Sequence, residues 1–129
     1  MSDALPSKIT VLVVEDDFLI RMDAIDMVRD LGFEAIEAVD ADHAISFLER
    51  YPSLVISVVF TDIQMPGSMD GLRLAAVIRL RWPPVALLVT SGQVHPPEQE
   101  LPSGARFLPK PYVAHQLKTH LEALTQTAS

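Results

Sequence analysis

Three carboxylates, a threonine and a lysine are the residues of this chain whose types and places suit joint chemistry. Glu15 and Asp16 close the apolar run Val11-Leu12-Val13-Val14. Asp62 closes a β-branched run beginning at Val55, and the turn Met65-Pro66-Gly67 follows it at once. Thr90 closes Val85 to Val89, and Lys110 stands just past Arg106-Phe107-Leu108. Two carboxylates about 5 Å apart repel by roughly 3 kcal/mol at an effective dielectric near 20, so such a cluster wants a cation. Its ligands are hard oxygens with no thiolate or imidazole among them, which selects magnesium or manganese with waters completing the shell. A lysine charge and a hydroxyl donor beside that ion would surround the oxygens of a phosphoryl group. One carboxylate must then take the phosphorus as nucleophile, and Asp62 suits because it stands alone while Glu15 and Asp16 form a metal-holding pair.

Those groups meet only if the elements that carry them end along one edge. Ile9 to Val14 reads as a buried strand, followed by a helical pattern with Ile20, Ala24, Met27, Val28 and Leu31 on one face and Gly32 as its stop. Glu34 to Val39 reads as a short strand nearer an edge. A helix from Ala41 to about Arg50 is expected next, capped by Asp40 or Asp42 and closed by Pro52. The Val55 strand leads through the Asp62 turn to a helix over about Asp70 to Trp82, ended by Pro83-Pro84. After the Val85 strand, Pro96, Pro97 and Pro102 leave room for a helical turn or two at most between Gly92 and Ala105. Arg106 to Leu108 is the last strand. A helix over Tyr112 to about Leu124 places Val113, Leu117, Leu121 and Leu124 on one face. Five strands alternating with connections call for an α/β, doubly wound parallel sheet with helices on both faces. In such a sheet ligands gather at the carboxyl ends of the strands.

Composition bounds the reading. The 129 residues suit one domain, expected over 9–124 with an amino-terminal tail over 1–8 and a polar tail over 125–129. A net charge of −7 argues against phosphate backbones and anionic lipid as direct partners. Without cysteine there is no disulfide and no thiolate site, which suits a cytoplasmic protein. The amino terminus lacks the apolar core of a signal peptide, and no apolar run approaches the roughly 20 residues of a membrane helix.

Taken in order, Val-Val-Glu-Asp-Asp, Thr-Asp-Ile-Gln-Met-Pro-Gly with Asp70-Gly71 behind it, Val-Thr-Ser-Gly and Phe-Leu-Pro-Lys-Pro-Tyr resemble the signature of bacterial response-regulator receiver domains. The resemblance covers roughly Ile9 to Leu124. It implies a flavodoxin-like sheet of order 2-1-3-4-5 and a two-component or phosphorelay role. Asp62 would accept a phosphoryl group from a histidine kinase or a histidine phosphotransfer protein. Asp16, Asp62 and the backbone carbonyl of Gln64 would hold magnesium, with Glu15 acting mainly through water. Lys110 would pair with the phosphoryl group and precede a cis bond to Pro111. Thr90 would turn inward once Asp62 is modified, followed by the aromatic switch residue, here Phe107. Phenylalanine cannot make the hydrogen bond of the tyrosine common there, so a switch would work by packing. The family's fourth helix would be short or irregular, and a mobile Gly92–Gly104 loop that orders on activation is the expectation.

Simpler readings apply to other residues. Asp17, Asp40 and Asp42 read as helix caps, the four histidines as surface residues, and Ser57 and Ser91 as lacking any nucleophile motif. Arg73, Arg79 and Arg81 read as a solvated helix face, with a partner contact second. The leading function is a stand-alone phosphoacceptor, not an enzyme in its own right, that docks on another protein or passes its phosphoryl group onward. Two alternatives stand beside it: a phosphorylation-independent adaptor with this fold, and a phosphatase of the haloacid-dehalogenase type. The second needs a general acid two residues after the nucleophile, where this chain has Gln64.

Overall fold

The computed structural model describes residues 9–126. Strands β1 (Thr10–Val14), β2 (Glu34–Ala38), β3 (Val58–Asp62), β4 (Ala86–Ser91) and β5 (Arg106–Pro109) alternate with helices α1 (Phe18–Asp30), α2 (Ala41–Arg50), α3 (Gly71–Arg81) and α4 (Ala114–Thr125). The strands form one sheet of order β2-β1-β3-β4-β5, and every pairing is parallel. That is the expected order.

Alternation along the strands explains why both faces carry helices. Leu12, Val14, Val59, Leu87 and Val89 point to one side and pack with Ala44 and Leu48 of α2 and Leu74, Ala75 and Ile78 of α3. Val11, Val13, Val58, Phe60 and Leu88 point to the other and meet Ala24, Ile25 and Val28 of α1 and Leu117 and Leu121 of α4. With both faces covered, β1, β3 and β4 read as near-continuous apolar runs and their polar residues collect at the ends.

Three helices start from an aspartate that follows the sheet's carboxyl edge. Asp17, Asp40 and Asp70 accept from the backbone N–H groups of Ile20, His43 and Arg73 at 3.0, 2.8 and 2.9 Å. Each such cap contributes about 1 kcal/mol and sets where the helix leaves the sheet. Asp42 does not cap its own helix; it accepts from the Ser68 hydroxyl at 2.6 Å and so ties α2 to the loop after β3.

Several expected boundaries and faces move. β3 begins at Val58, not Val55, because Val55 is 76% exposed ahead of the sheet and parallel pairing with β1 starts only at Val58. Ile20 is exposed, and the buried face of α1 is Arg21, Ala24, Ile25 and Val28, one residue around from the expected stripe. Val113 is not on the buried face of the last helix; it is the exposed residue before α4, whose buried residues are Leu117 and Leu121. Gly32 does close α1, with φ of +98°.

Between β4 and β5 the only helical piece is the single 3₁₀ turn Glu98–Glu100. Pro96, Pro97 and Pro102 lack the N–H groups an α-helix would need. Half-buried Leu101, Ala105 and Phe107 close the α2/α3 side of the core in its place. Among the described residues no helix is long and apolar enough to cross a membrane. The expected tail over 1–8 lies outside the described residues, as do 127–129; Thr125 ends α4 and Gln126 follows it.

Candidate functional site

The parallel order brings the ends of β1, β3, β4 and β5 to one edge, and the groups singled out above meet there. Asp62 is the last residue of β3, buried, and opposite Thr90 of β4 in register. Glu15 follows β1 and is held down by its own amide, which donates to the Ala38 carbonyl of β2 at 3.1 Å. Lys110, 95 residues further along the chain, reaches back so that its ammonium lies 3.2 Å from Glu15 Oε1 and 3.1 Å from Asp62 Oδ2.

Carboxylate oxygens of Glu15, Asp16 and Asp62 all lie within 4.8 Å of one another. Glu15 and Asp62 are buried and Asp16 is exposed, so the cluster opens outward through Asp16. Burial, with the Asp62 charge adding to it, pushes the Glu15 carboxyl up to about 7, against the Asp17 amide and Lys110 that favour its ionised form. Burial works against the charged form of Lys110 too, yet Asp62 and Glu15 outweigh it and raise its pKa. One lysine therefore leaves the cluster short of positive charge. The donor set of three hard oxygens with an open side fits a divalent cation of the magnesium class, and no histidine belongs to such a group among the described residues.

The remaining expected residues fall around this centre. The Thr90 side chain is buried, and its hydroxyl donates to the Leu108 carbonyl of β5 at 2.6 Å. Phe107 is half-buried on the α2/α3 side, with its ring edge-on to His95 at 5.3 Å between centroids. Gln64 is exposed in the loop after Asp62. The Lys110–Pro111 bond is cis, as expected. Asp17 caps α1 and also holds Glu15 through its amide, which donates to Glu15 Oε2 at 3.0 Å.

Sequence reasoning missed three residues that shape the site. Gly71 opens α3 against the backbone of Asp62, where an added Cβ would lie 2.0 Å from the Asp62 carbonyl oxygen. Arg21 is buried beneath the acid pair and donates to the Glu15 carbonyl at 2.8 Å. Tyr112 packs on Phe60, and burial, then Asp23, Glu15 and Asp62, push its phenol up to about 12, so it stays protonated. A cation three and four residues before Ala24 and Ile25 was the available signal for Arg21, since that spacing puts it on the apolar face.

The Ser91 oxygen holds the start of the loop after β4, accepting from the Gln93 and Val94 amides at 3.2 and 3.0 Å. Arg79 is not on a solvated face; it donates to the Pro83 and Val85 carbonyls at 2.9 and 3.2 Å and braces the turn into β4. Arg81 pairs with Glu49 of α2 at 2.6 Å and lies over the Trp82 ring.

A family model described as "Response regulator receiver domain" matches residues 11–122. Among curated proteins, the chain is 30% identical over 125 residues to the sensor kinase CckA of Brucella abortus, covering 95% of this chain and 13% of that protein. It is 35% identical over 116 residues to the transcriptional regulatory protein PdtaR of Mycobacterium tuberculosis, covering 87% of this chain and 54% of that one. The chain thus spans about half of PdtaR and a small part of CckA. Among solved structures, the response regulator receiver protein from Sinorhizobium medicae superposes with a TM-score of 0.81 at 26% identity, covering 92% of this chain and 94% of that one. The receiver domain of the hybrid histidine kinase CckA gives 0.76 at 28% identity, covering 91% and 99%.

Proposed function

The chain belongs to the response regulator receiver domain family, and on that premise we propose that Asp62 is the residue through which it carries a phosphoryl group in two-component signalling. The observation that carries the assignment is the Lys110 ammonium seated between Asp62 and Glu15 at the open edge of the sheet. In the transfer, an Asp62 oxygen attacks phosphorus as the phosphorus–nitrogen bond of a phosphohistidine breaks, and the bonding pair stays on the imidazole nitrogen. Glu15, Asp16, Asp62 and the Gln64 carbonyl would hold magnesium, which supplies charge neutralisation at the phosphoryl oxygens. Lys110, already in place, follows the negative charge from the carboxylate to the phosphoryl group.

Thr90 has a second acceptor to choose. To donate to a phosphoryl oxygen it must release the Leu108 carbonyl, next to Phe107 in β5, and that exchange would pass the state of Asp62 to the His95–Phe107 contact. The phosphodonor, a histidine kinase or phosphotransfer protein, has an approach over the groove of about 430 Å³ lined by Ile20, Asp23, Met27, Gly92, Lys110 and Tyr112. Phe18 and Leu19, the two residues of α1 that precede Ile20 of that lining, are 61% and 76% exposed. The protein acts as a regulator through a downstream partner or an onward transfer, in a reducing cytoplasm that its lack of cysteine suits.

Incubation with magnesium and acetyl phosphate tests the assignment. Intact mass should rise by one phosphoryl group in the wild type and not in Asp62→Asn. An unmodified wild type would point to the phosphorylation-independent adaptor; an Asp62→Asn variant phosphorylated like wild type would move the acceptor elsewhere.

A further inference from the structure

We infer that Arg21 is a positioning residue for the metal-holding acid pair, acting through the main chain and not through the carboxylates; the inference rests on the functional reading above. Its side chain is 8% exposed, and the guanidinium makes three directed contacts. The Nη1 group donates to the Glu15 carbonyl at 2.8 Å and, at a longer 3.4 Å, to the Asp16 carbonyl. The Nε–H donates to Glu37 Oε1 of β2 at 2.7 Å. The Phe18 ring covers the cation from one side, its centroid 5.5 Å from the guanidinium carbon.

A buried guanidinium is a costly way to fill space under α1. Taking the ion out of water costs several kcal/mol, and an apolar side chain of similar volume fills such a place more cheaply. What the arginine adds is direction. The chain leaves the sheet after the Glu15 amide, so the Glu15–Asp16 peptides have no strand partner to fix their orientation. Arg21, one turn into α1, grips both carbonyls, while Glu37 anchors the guanidinium to β2, the neighbour of β1. The carboxylates of Glu15 and Asp16 then project over the edge from a peptide pair that does not swing. Lysine cannot reproduce this, because one ammonium on a flexible stem lacks the rigid fork that spans Glu37 and the Glu15 carbonyl at once.

The test uses the full chain with Mg²⁺ as the probe. Backbone amide shifts of Asp16 and Asp62 are followed against Mg²⁺ concentration, and acetyl-phosphate phosphorylation is measured over the same range. Arg21→Lys should need about tenfold more Mg²⁺ for half-saturation, the usual scale for removing a group that orients a metal ligand. Its phosphorylation rate at saturating Mg²⁺ should return to the wild-type level, a split that general loss of stability would not produce. Glu37→Gln, which weakens the anchor without touching the site, should shift half-saturation in the same direction by less, and it decides the matter if Arg21→Lys does not fold. Unchanged Mg²⁺ half-saturation in the folded variants, whatever their melting temperatures, overturns the inference alone. Wild-type protein that binds no Mg²⁺ overturns the functional reading and this inference with it.

Discussion

Replacing Gly71 by alanine would place a methyl carbon 2.0 Å from the carbonyl oxygen of Asp62, 2.7 Å from its carbonyl carbon and 2.9 Å from the Cα of Ile63. Real Cβ atoms essentially never come within 3.0 Å of such neighbours, and all three here are backbone atoms that no rotamer can move aside. The start of α3 and the end of β3 must part by about 1 Å, at an overpacking cost of about 1–3 kcal/mol. Parting them also strains the bond from the Gly71 amide to the Ile63 carbonyl, 2.8 Å long, for about 1 kcal/mol more. Against a domain stability of roughly 5–15 kcal/mol this is a large fraction, and the melting temperature should fall by roughly 10 °C. The displaced backbone is that of Asp62, the proposed phosphoacceptor, and a misplacement of about 1 Å at a reacting group is enough to slow transfer about a hundredfold. Gly32→Ala is the control: φ there is +98°, so alanine is strained, yet no atom lies within 4 Å of its Cβ and the site is remote. That variant should lose about 1 kcal/mol and phosphorylate normally. Thermal unfolding and initial rates with acetyl phosphate measure both effects. A Gly71→Ala protein that melts with Gly32→Ala and is phosphorylated at the wild-type rate would refute the close approach of α3 to Asp62.

Two further outcomes follow from the β4 and β5 side of the molecule. Ser91→Ala should leave the Gln93 and Val94 amides without their acceptor, cost roughly 1–2 kcal/mol and speed hydrogen exchange at those two positions; unchanged exchange there would show that the serine does not hold the start of the loop. His120 accepts from Arg106 Nε at 2.8 Å, and burial, with the Arg106 charge, lowers its pKa below the ordinary 6.5. The unfolded chain then binds the proton more readily, so this contribution to stability is full above about 6.5 and is lost as pH falls through the lower folded value. For a pair this near the surface it amounts to less than about 1 kcal/mol. His120→Gln should flatten that part of the stability profile in pH-dependent urea unfolding, and an unaltered slope would remove the pair from the account.

The linear chain alone determined the strand count, the sheet class and which acids, threonine and lysine stand at the strand ends, though not Gly71, Arg21 or Tyr112 around them. It could do so because a parallel sheet buried on both faces leaves its polar residues only at strand ends, where Glu15, Asp16, Asp62 and Thr90 stand out against apolar runs. Proline chemistry likewise announced that no full helix joins β4 to β5. Tertiary structure decided what each polar atom touches. Arg21 and Ile20 are adjacent in a helix of uneven periodicity, and only docking of α1 on the sheet buries the arginine and exposes the isoleucine. Val55 has the composition of a strand residue, but it lies ahead of the β1 edge that could pair with it. Thr90 has one hydroxyl proton, and the Leu108 carbonyl that takes it belongs to a strand 18 residues away. Periodicity reports a residue's relation to its own element over a few positions. Hydrogen-bond partners and ion pairs are settled by which elements lie side by side, and the placement of Lys110 between Glu15 and Asp62 depends on the order of the whole sheet.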